Sequence, residues 1–262
     1  MKTRIVLSFL LVSGATAFPA YAQYVIFPQL ALGGGYQATL LVTSKTAYSQ
    51  TLYLWAFSSP GIGWVSGLCV NGQVYPQGTV INVSLGPRET KKLVLTSNPP
   101  ASSSTQTGWM VIGQSASPPY SGTLYQSYLN GISIAYFYQY YAKGTLTNST
   151  GTVASEVGDD FVFPAERDES TGTDTGIAWV NTSGLFTEVK LYDARGNQIG
   201  DTSGGKVTGN GHHAMFISEL FSLPSSFKGS VEIIGSSIAL EVIRIDAYGT
   251  GFLLTSTPAH IK

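Results

Sequence analysis

Charge is the scarcest resource in this chain. Asp, Glu, Lys and Arg make up 11% of its 262 residues, and the formal net charge is −1. With no basic tract anywhere, binding to nucleic acid is disfavoured. Cysteine is nearly absent. Cys69 is the only one, so no disulfide can close within the chain, and a pairing would need a second chain. Its setting, Gly67-Leu68-Cys69-Val70-Asn71-Gly72, reads as a strand running into an Asn-Gly turn, with the thiol as a small apolar residue. Histidine occurs three times, as His212, His213 and His260. His212 and His213 enter a strand side by side and so point to opposite faces, where they cannot easily share a metal; they read as a surface pair. The Gly-x-Ser-x-Gly nucleophile elbow is missing, because Gly63-Trp64-Val65-Ser66-Gly67 has the wrong spacing. Apolar residues rarely recur at helical spacing, and beyond the first dozen residues no apolar run reaches membrane-spanning length.

What is present begins with an export signal. Lys2 and Arg4 precede the short apolar stretch from Ile5 to Val12, and Ala20-Tyr21-Ala22 offers small residues where a signal peptidase reads. Cleavage before Gln23 leaves 240 residues, enough for one large domain or two ordinary sandwiches. No cysteine sits at the cleavage site, so a lipid anchor is not indicated.

Period-two alternation dominates the remainder. In Ile132-Ser133-Ile134-Ala135-Tyr136-Phe137-Tyr138-Gln139-Tyr140, Ile132, Ile134, Tyr136, Tyr138 and Tyr140 share one face. Short strands set between Gly, Pro and Asn turns argue for antiparallel β-sandwiches. The pattern also occurs twice. Phe27-Pro28 and then Thr39 to Thr43 correspond to Phe163-Pro164 and then Ile177 to Asn181. Leu52 to Trp55 corresponds to Val189 to Tyr192, Leu93 to Leu95 to Met215 to Ile217, Ile112 to Ser115 to Ile234 to Ser237, and Ile132 to Tyr138 to Ile238 to Arg244. The first copy carries two insertions, around Ser58 to Gly78 and around Ala116 to Asn130, and insertions in a sandwich fall in loops, where function tends to sit. Asp193 to Asn197 reads as a hairpin turn, and Ile217 to Phe221 as one helical turn that Ser218 can cap and Pro224 stops.

The chemistry on offer is limited. Trp55, Trp109 and Trp179 fit core positions, whereas Trp64, Tyr75 and Tyr120 lie in the first-copy insertions and could stack on sugar rings. Glu166, Asp168 and Glu169 form an acidic loop that could hold Ca²⁺ through carboxylate oxygens, the one ion the sequence suggests; a solvated acidic loop is the plainer reading.

The Phe27-Pro28-Gln29 and Gly33-Gly34-Gly35 opening, the Thr175-Gly176-Ile177-Ala178-Trp179-Val180-Asn181 stretch, and Ser218-Glu219-Leu220-Phe221 with Leu223-Pro224 resemble a group of uncharacterised bacterial exported proteins. The resemblance covers most of the mature chain. It implies tandem immunoglobulin-like sandwiches and brings no catalytic residues with it.

The expected organisation is a signal peptide at 1–22, a first sandwich at 23–142, a linker at 143–158 with room for an edge strand at Val153 to Val157, a second sandwich at 159–258 and a tail at 259–262. The expected function is a non-enzymatic exported protein of structural or adhesion type, secreted, at the cell surface or in the periplasm, with an extracellular protein or glycan as partner. A carbohydrate-binding pair is the alternative. An outer-membrane β-barrel, with the Tyr136 strand near an aromatic girdle, comes next. A hydrolase built on the run from Glu166 to Glu169 comes last.

Overall fold

A computed structural model describes residues 24–59, 67–98, 104–116, 129–181, 183, 187–202, 211–248, 251–257 and 260–261. The molecule is all-β, with antiparallel sheets packed face to face.

In the N-terminal half the strands are β1 (Tyr24–Leu32), β2 (Tyr36–Ser44), β3 (Gln50–Ser58), β4 (Leu68–Val70), β5 (Gln73–Tyr75), β6 (Ile81–Leu85), β7 (Thr90–Ser97), β8 (Gln106–Gly113), β9 (Ile132–Ala142) and β10 (Thr145–Thr152). One sheet runs β1-β8-β3-β6 and the other β10-β9-β2-β7-β4-β5. The alternation read from sequence determines which side chains meet between them. Leu52 and Leu54 of β3, Met110 and Ile112 of β8, Leu40 and Val42 of β2 and Tyr136 of β9 are all buried in one core. The β4–β5 hairpin, part of the first insertion, extends the second sheet through β7. Asn71 and Gly72 make its turn at φ of 50° and 84°, a left-handed pair that Asn-Gly adopts readily. Cys69 is buried among apolar neighbours, in keeping with the apolar reading of its setting.

In the C-terminal half the elements are β11 (Val157–Asp168), β12 (Asp174–Asn181), β13 (Glu188–Asp193), β14 (Gln198–Asp201), β15 (Gly211–Phe216), α1 (Ile217–Leu220), β16 (Ser226–Tyr248), β17 (Gly251–Thr257) and β18 (His260–Ile261). The 23-residue β16 serves two sheet regions. Its first part pairs with β11 and β13, and its second with β12 and β17. Phe163, Trp179, Leu191, Val231 and Val242 meet in a second core.

Pairings correspond between the halves in the β9-β2-β7 region, with β2 one residue displaced from the correspondence read in sequence: Leu40 lies between Tyr136 and Leu93, and Ile177 lies between Val242 and Met215. The order β1-β8-β3-β6 has its counterpart in β11, the first part of β16, β13 and β14. The order β10-β9-β2-β7 has its counterpart in β17, the second part of β16, β12 and β15.

Several boundaries differ from expectation. Most of the 143–158 stretch is not a connection: β10 folds back on β9 as a hairpin, so only residues 153–156 join the halves. The expected tail contributes β18, which pairs with β11. The helical turn α1 forms where expected, but Ser218 does not cap it. Its hydroxyl bonds Asp174, and Glu219 instead accepts the Phe216 N–H at 2.7 Å. The signal segment 1–22 lies outside the described residues.

Candidate functional site: a cavity between the two halves

A third apolar cluster joins the halves. Strands β1, β3 and β8 bury one face in the N-terminal core, and the opposite face presents Tyr24, Ile26, Trp55, Phe57, Trp109 and Val111. Val180 of β12 and Ala239 of β16 pack into the same cluster from the other half. Phe57 and Trp109 stack with ring centres 4.3 Å apart, and Tyr24 meets Trp55 edge-on at 6.0 Å. Trp55 and Trp109 are therefore buried, as expected, but between the halves; Trp179 belongs to the C-terminal core.

The connecting segment ties this layer together. The Ser155 N–H donates to the Ile26 carbonyl at 2.9 Å, and its Oγ lies 2.7 Å from both the N–H and the carbonyl of Leu240. One residue thus bridges the halves, its backbone N–H bonded to β1 and its side chain to β16.

A break in β1 shapes one end of the layer. Pro28 has no N–H to give to the ladder with β8, and the register shifts between Phe27 and Leu30. Val25 and Phe27 face the core before the shift, and Leu30 and Leu32 after it. Gln29 and Ala31 are thereby turned toward the other half. The equivalent Phe163-Pro164 in β11 pairs without a shift.

Facing Gln29 and Ala31 are Gly176 and Ala178 of β12, Ala214 of β15, and Glu241 and Ile243 of β16. Small side chains on both walls leave a cavity of about 360 Å³, within the ordinary range of small-molecule sites. Thr105, Thr107 and Glu219 are exposed at its rim, and Glu241 is buried at its inner wall. A side chain on Gly176 would collide with Ile243, its Cβ falling 2.9 Å from that residue's Cγ1.

Glu241 carries the electrostatics of the site. Burial pushes its carboxyl up to about 8, only partly offset by hydrogen bonding from Tyr138, Thr152 and the Gln29 backbone. The Tyr138 hydroxyl donates to Glu241 Oε2 at 2.8 Å and lies 2.7 Å from the Gln29 carbonyl, and Tyr136 donates to that carbonyl at 3.1 Å. Burial raises both tyrosine hydroxyls well above their ordinary value, so they keep their protons. Glu241 Oε1 and Gln29 Oε1 are buried without a hydrogen-bond partner.

At the same end of the layer, close to Pro28 and Thr107, His212 is buried and its Nδ1 lies 3.1 Å from Ser59 Oγ. Burial first, then the neighbouring His213, holds its pKa down to about 4, against a raising contribution from the Pro28 backbone. The two histidines do face opposite ways, with His213 stacked on Trp179 at 5.0 Å, but they are not a surface pair.

Tyr75 on β5 is partly buried against the N-terminal core. Trp64 and Tyr120 lie outside the described residues. Glu166 pairs with Lys228 at 2.9 Å and with Arg244, and Glu169 pairs with Arg167. Asp168 accepts the Ser170 N–H and hydroxyl at 2.9 and 2.6 Å. Each carboxylate already has a cationic or turn partner, and the hydrogen bonds from Lys228 and Ser170 lower the pKa values of Glu166 and Asp168 respectively. Among the described residues no group of three or more His, Cys, Asp and Glu side chains is placed to hold a metal ion. Tyr136 and Tyr138, candidates for a lipid-facing girdle, point into the interior.

Sequence reasoning passed over Gln29 and Glu241. The signals were there: a lone carboxylate in Ala239-Leu240-Glu241-Val242-Ile243, and an amide directly after a proline that interrupts a strand.

No family model matches the chain, and no curated protein matches it. Among solved structures, a pumpkin seed globulin is similar over 89% of this chain and 78% of its own, at 8% identity and a TM-score of 0.22, too low to define a shared fold.

Proposed function

We propose that the protein is a non-enzymatic exported protein of structural or adhesion type, built from two tandem immunoglobulin-like β-sandwiches held as one rigid body. The observation that carries this reading is the apolar layer between the halves, where Trp55, Phe57, Trp109 and Val111 pack with Val180 and Ala239. A protein that bears load or presents a surface needs its modules fixed in mutual orientation, and a desolvated aromatic layer does this better than a polar contact between flexibly linked domains. The correspondence of strand pairing in the β9-β2-β7 region supports the tandem reading. The charged n-region, apolar stretch and Ala20-Tyr21-Ala22 exit support export.

The test is fractionation of the producing cell, followed by pull-down with tagged mature protein. The expected result is recovery outside the cytoplasm together with a surface protein or glycan. Sustained turnover of a glycan or peptide, abolished by one carboxylate substitution, would overturn the reading.

A further inference from the structure

We propose that the cavity between the halves is a binding site for a small uncharged molecule, mainly apolar, that brings one or two O–H donors to the free oxygens of Gln29 and Glu241; a phenol or a fatty alcohol has this chemistry. Three observations converge. The walls are largely aliphatic, with Ala31, Ala178, Met215, Ile243 and Ile245 among the residues around about 360 Å³ of space. Two buried acceptors on the cavity wall, Gln29 Oε1 and Glu241 Oε1, lack hydrogen-bond partners. The rim at Thr105, Thr107 and Glu219 is exposed, which gives a way in.

The ligand's class follows from what these groups lack. A buried acceptor without a donor is costly, about 1–3 kcal/mol each, so an occupant that donates to it is favoured over an alkane of the same size. Burial keeps the Glu241 carboxyl protonated at pH 6, and its unpartnered Oε1 can pair with a hydroxyl, which both donates and accepts. An anion would find no Lys, Arg or His among the lining residues and would approach past the Glu219 carboxylate at the rim. An ammonium ion at the inner wall would be stripped of water beside a protonated Glu241, with Glu219 only at the rim.

The test is calorimetric titration of the mature chain at pH 6 with 4-propylphenol and 1-octanol, with propylbenzene as the donor-free control. One saturable site is expected for an alcohol probe, with propylbenzene weaker by about tenfold for one lost hydrogen bond. Ala214→Leu fills the cavity and should abolish binding. Glu241→Gln reproduces the protonated acid and should keep it, whereas Glu241→Leu should weaken it by about tenfold. Thermal melts establish that each variant is folded; if Ala214→Leu does not fold, the Gln and Leu variants at Glu241 decide between them. Absence of saturable binding to the folded wild-type chain would overturn the proposal and leave a water-filled cavity. So would equal binding by propylbenzene, or binding that Glu241→Leu leaves unchanged.

Discussion

The sandwich cores and the layer between the halves are built from the same strands, yet they differ in kind. The N-terminal core, lined by Leu40, Leu52, Leu54, Met110 and Ile112, is mainly apolar, with the Tyr136 and Tyr138 hydroxyls and the buried Ser44 and Ser97 as its polar members. The layer on the opposite face of β1, β3 and β8 combines stacked aromatics with Ser155, His212 and Glu241, all buried. A core that only has to exclude water can be wholly apolar. An interface that must also fix one orientation uses directional bonds, and its polar groups make it responsive to pH.

The sharpest way to break that comparison is to remove the aromatic centre of the layer. Trp109→Ala deletes the stack on Phe57 and should lower stability by about 3–5 kcal/mol, as in a true core. A loss below about 1 kcal/mol in urea titration would mean that the layer is only a surface contact. Ser155→Ala comes next. It strips the Leu240 N–H and carbonyl of their shared partner and should cost about 2–3 kcal/mol by the same measurement.

The third prediction concerns pH. Glu241 has a folded pKa of about 8 against an ordinary 4.5, so the folded state holds a proton that the unfolded chain releases, and stability falls as pH rises between those values. His212 has a folded pKa of about 4 against 6.5, so stability falls as pH drops from 6.5 to 4. Between about 4.5 and 6.5 the His212 slope opposes that of Glu241 and the lowered His213 pKa adds to the histidine side, whereas above 6.5 the Glu241 slope dominates. From pH 6.5 to 8 the chain should lose about 2 kcal/mol, at about 1.4 kcal/mol per pH unit. Glu241→Gln should flatten that limb in melts across the range; an unchanged limb would place the proton elsewhere. The smallest effect is expected for Ser59→Ala, which removes the hydroxyl beside His212 Nδ1 and should cost about 0.5–1.5 kcal/mol.

How much of this was legible depends on which face of a strand is considered. Alternation in Leu52 to Trp55 and Ile132 to Tyr140 identified the strands and one buried face, because one set of side chains in each leaves water. The second buried face was not legible. Trp109-Met110-Val111-Ile112 reads as strand whether one face or both are covered, so Trp109 looked like an ordinary core residue. The site was missed for a related reason. Glu241 sits between apolar neighbours in sequence, and only tertiary packing shows that Gln29 and Tyr138 stand opposite it. The turn at Asn71-Gly72 was legible because its backbone demand is local. Residues 143–158 misled because Ser, Thr and Gly suit an exposed edge strand as well as a linker, and β10 is such a strand.

The claim that the two halves form one body is tested most directly by urea unfolding of the mature chain, followed at once by tryptophan fluorescence and far-ultraviolet circular dichroism. Trp55 and Trp109 report on the layer between the halves, and circular dichroism reports on all the strands. A single coincident transition is predicted, because neither half can lose its partner without exposing that layer. A fluorescence change completed before the loss of strand signal, followed by independent unfolding of the halves, would contradict the account.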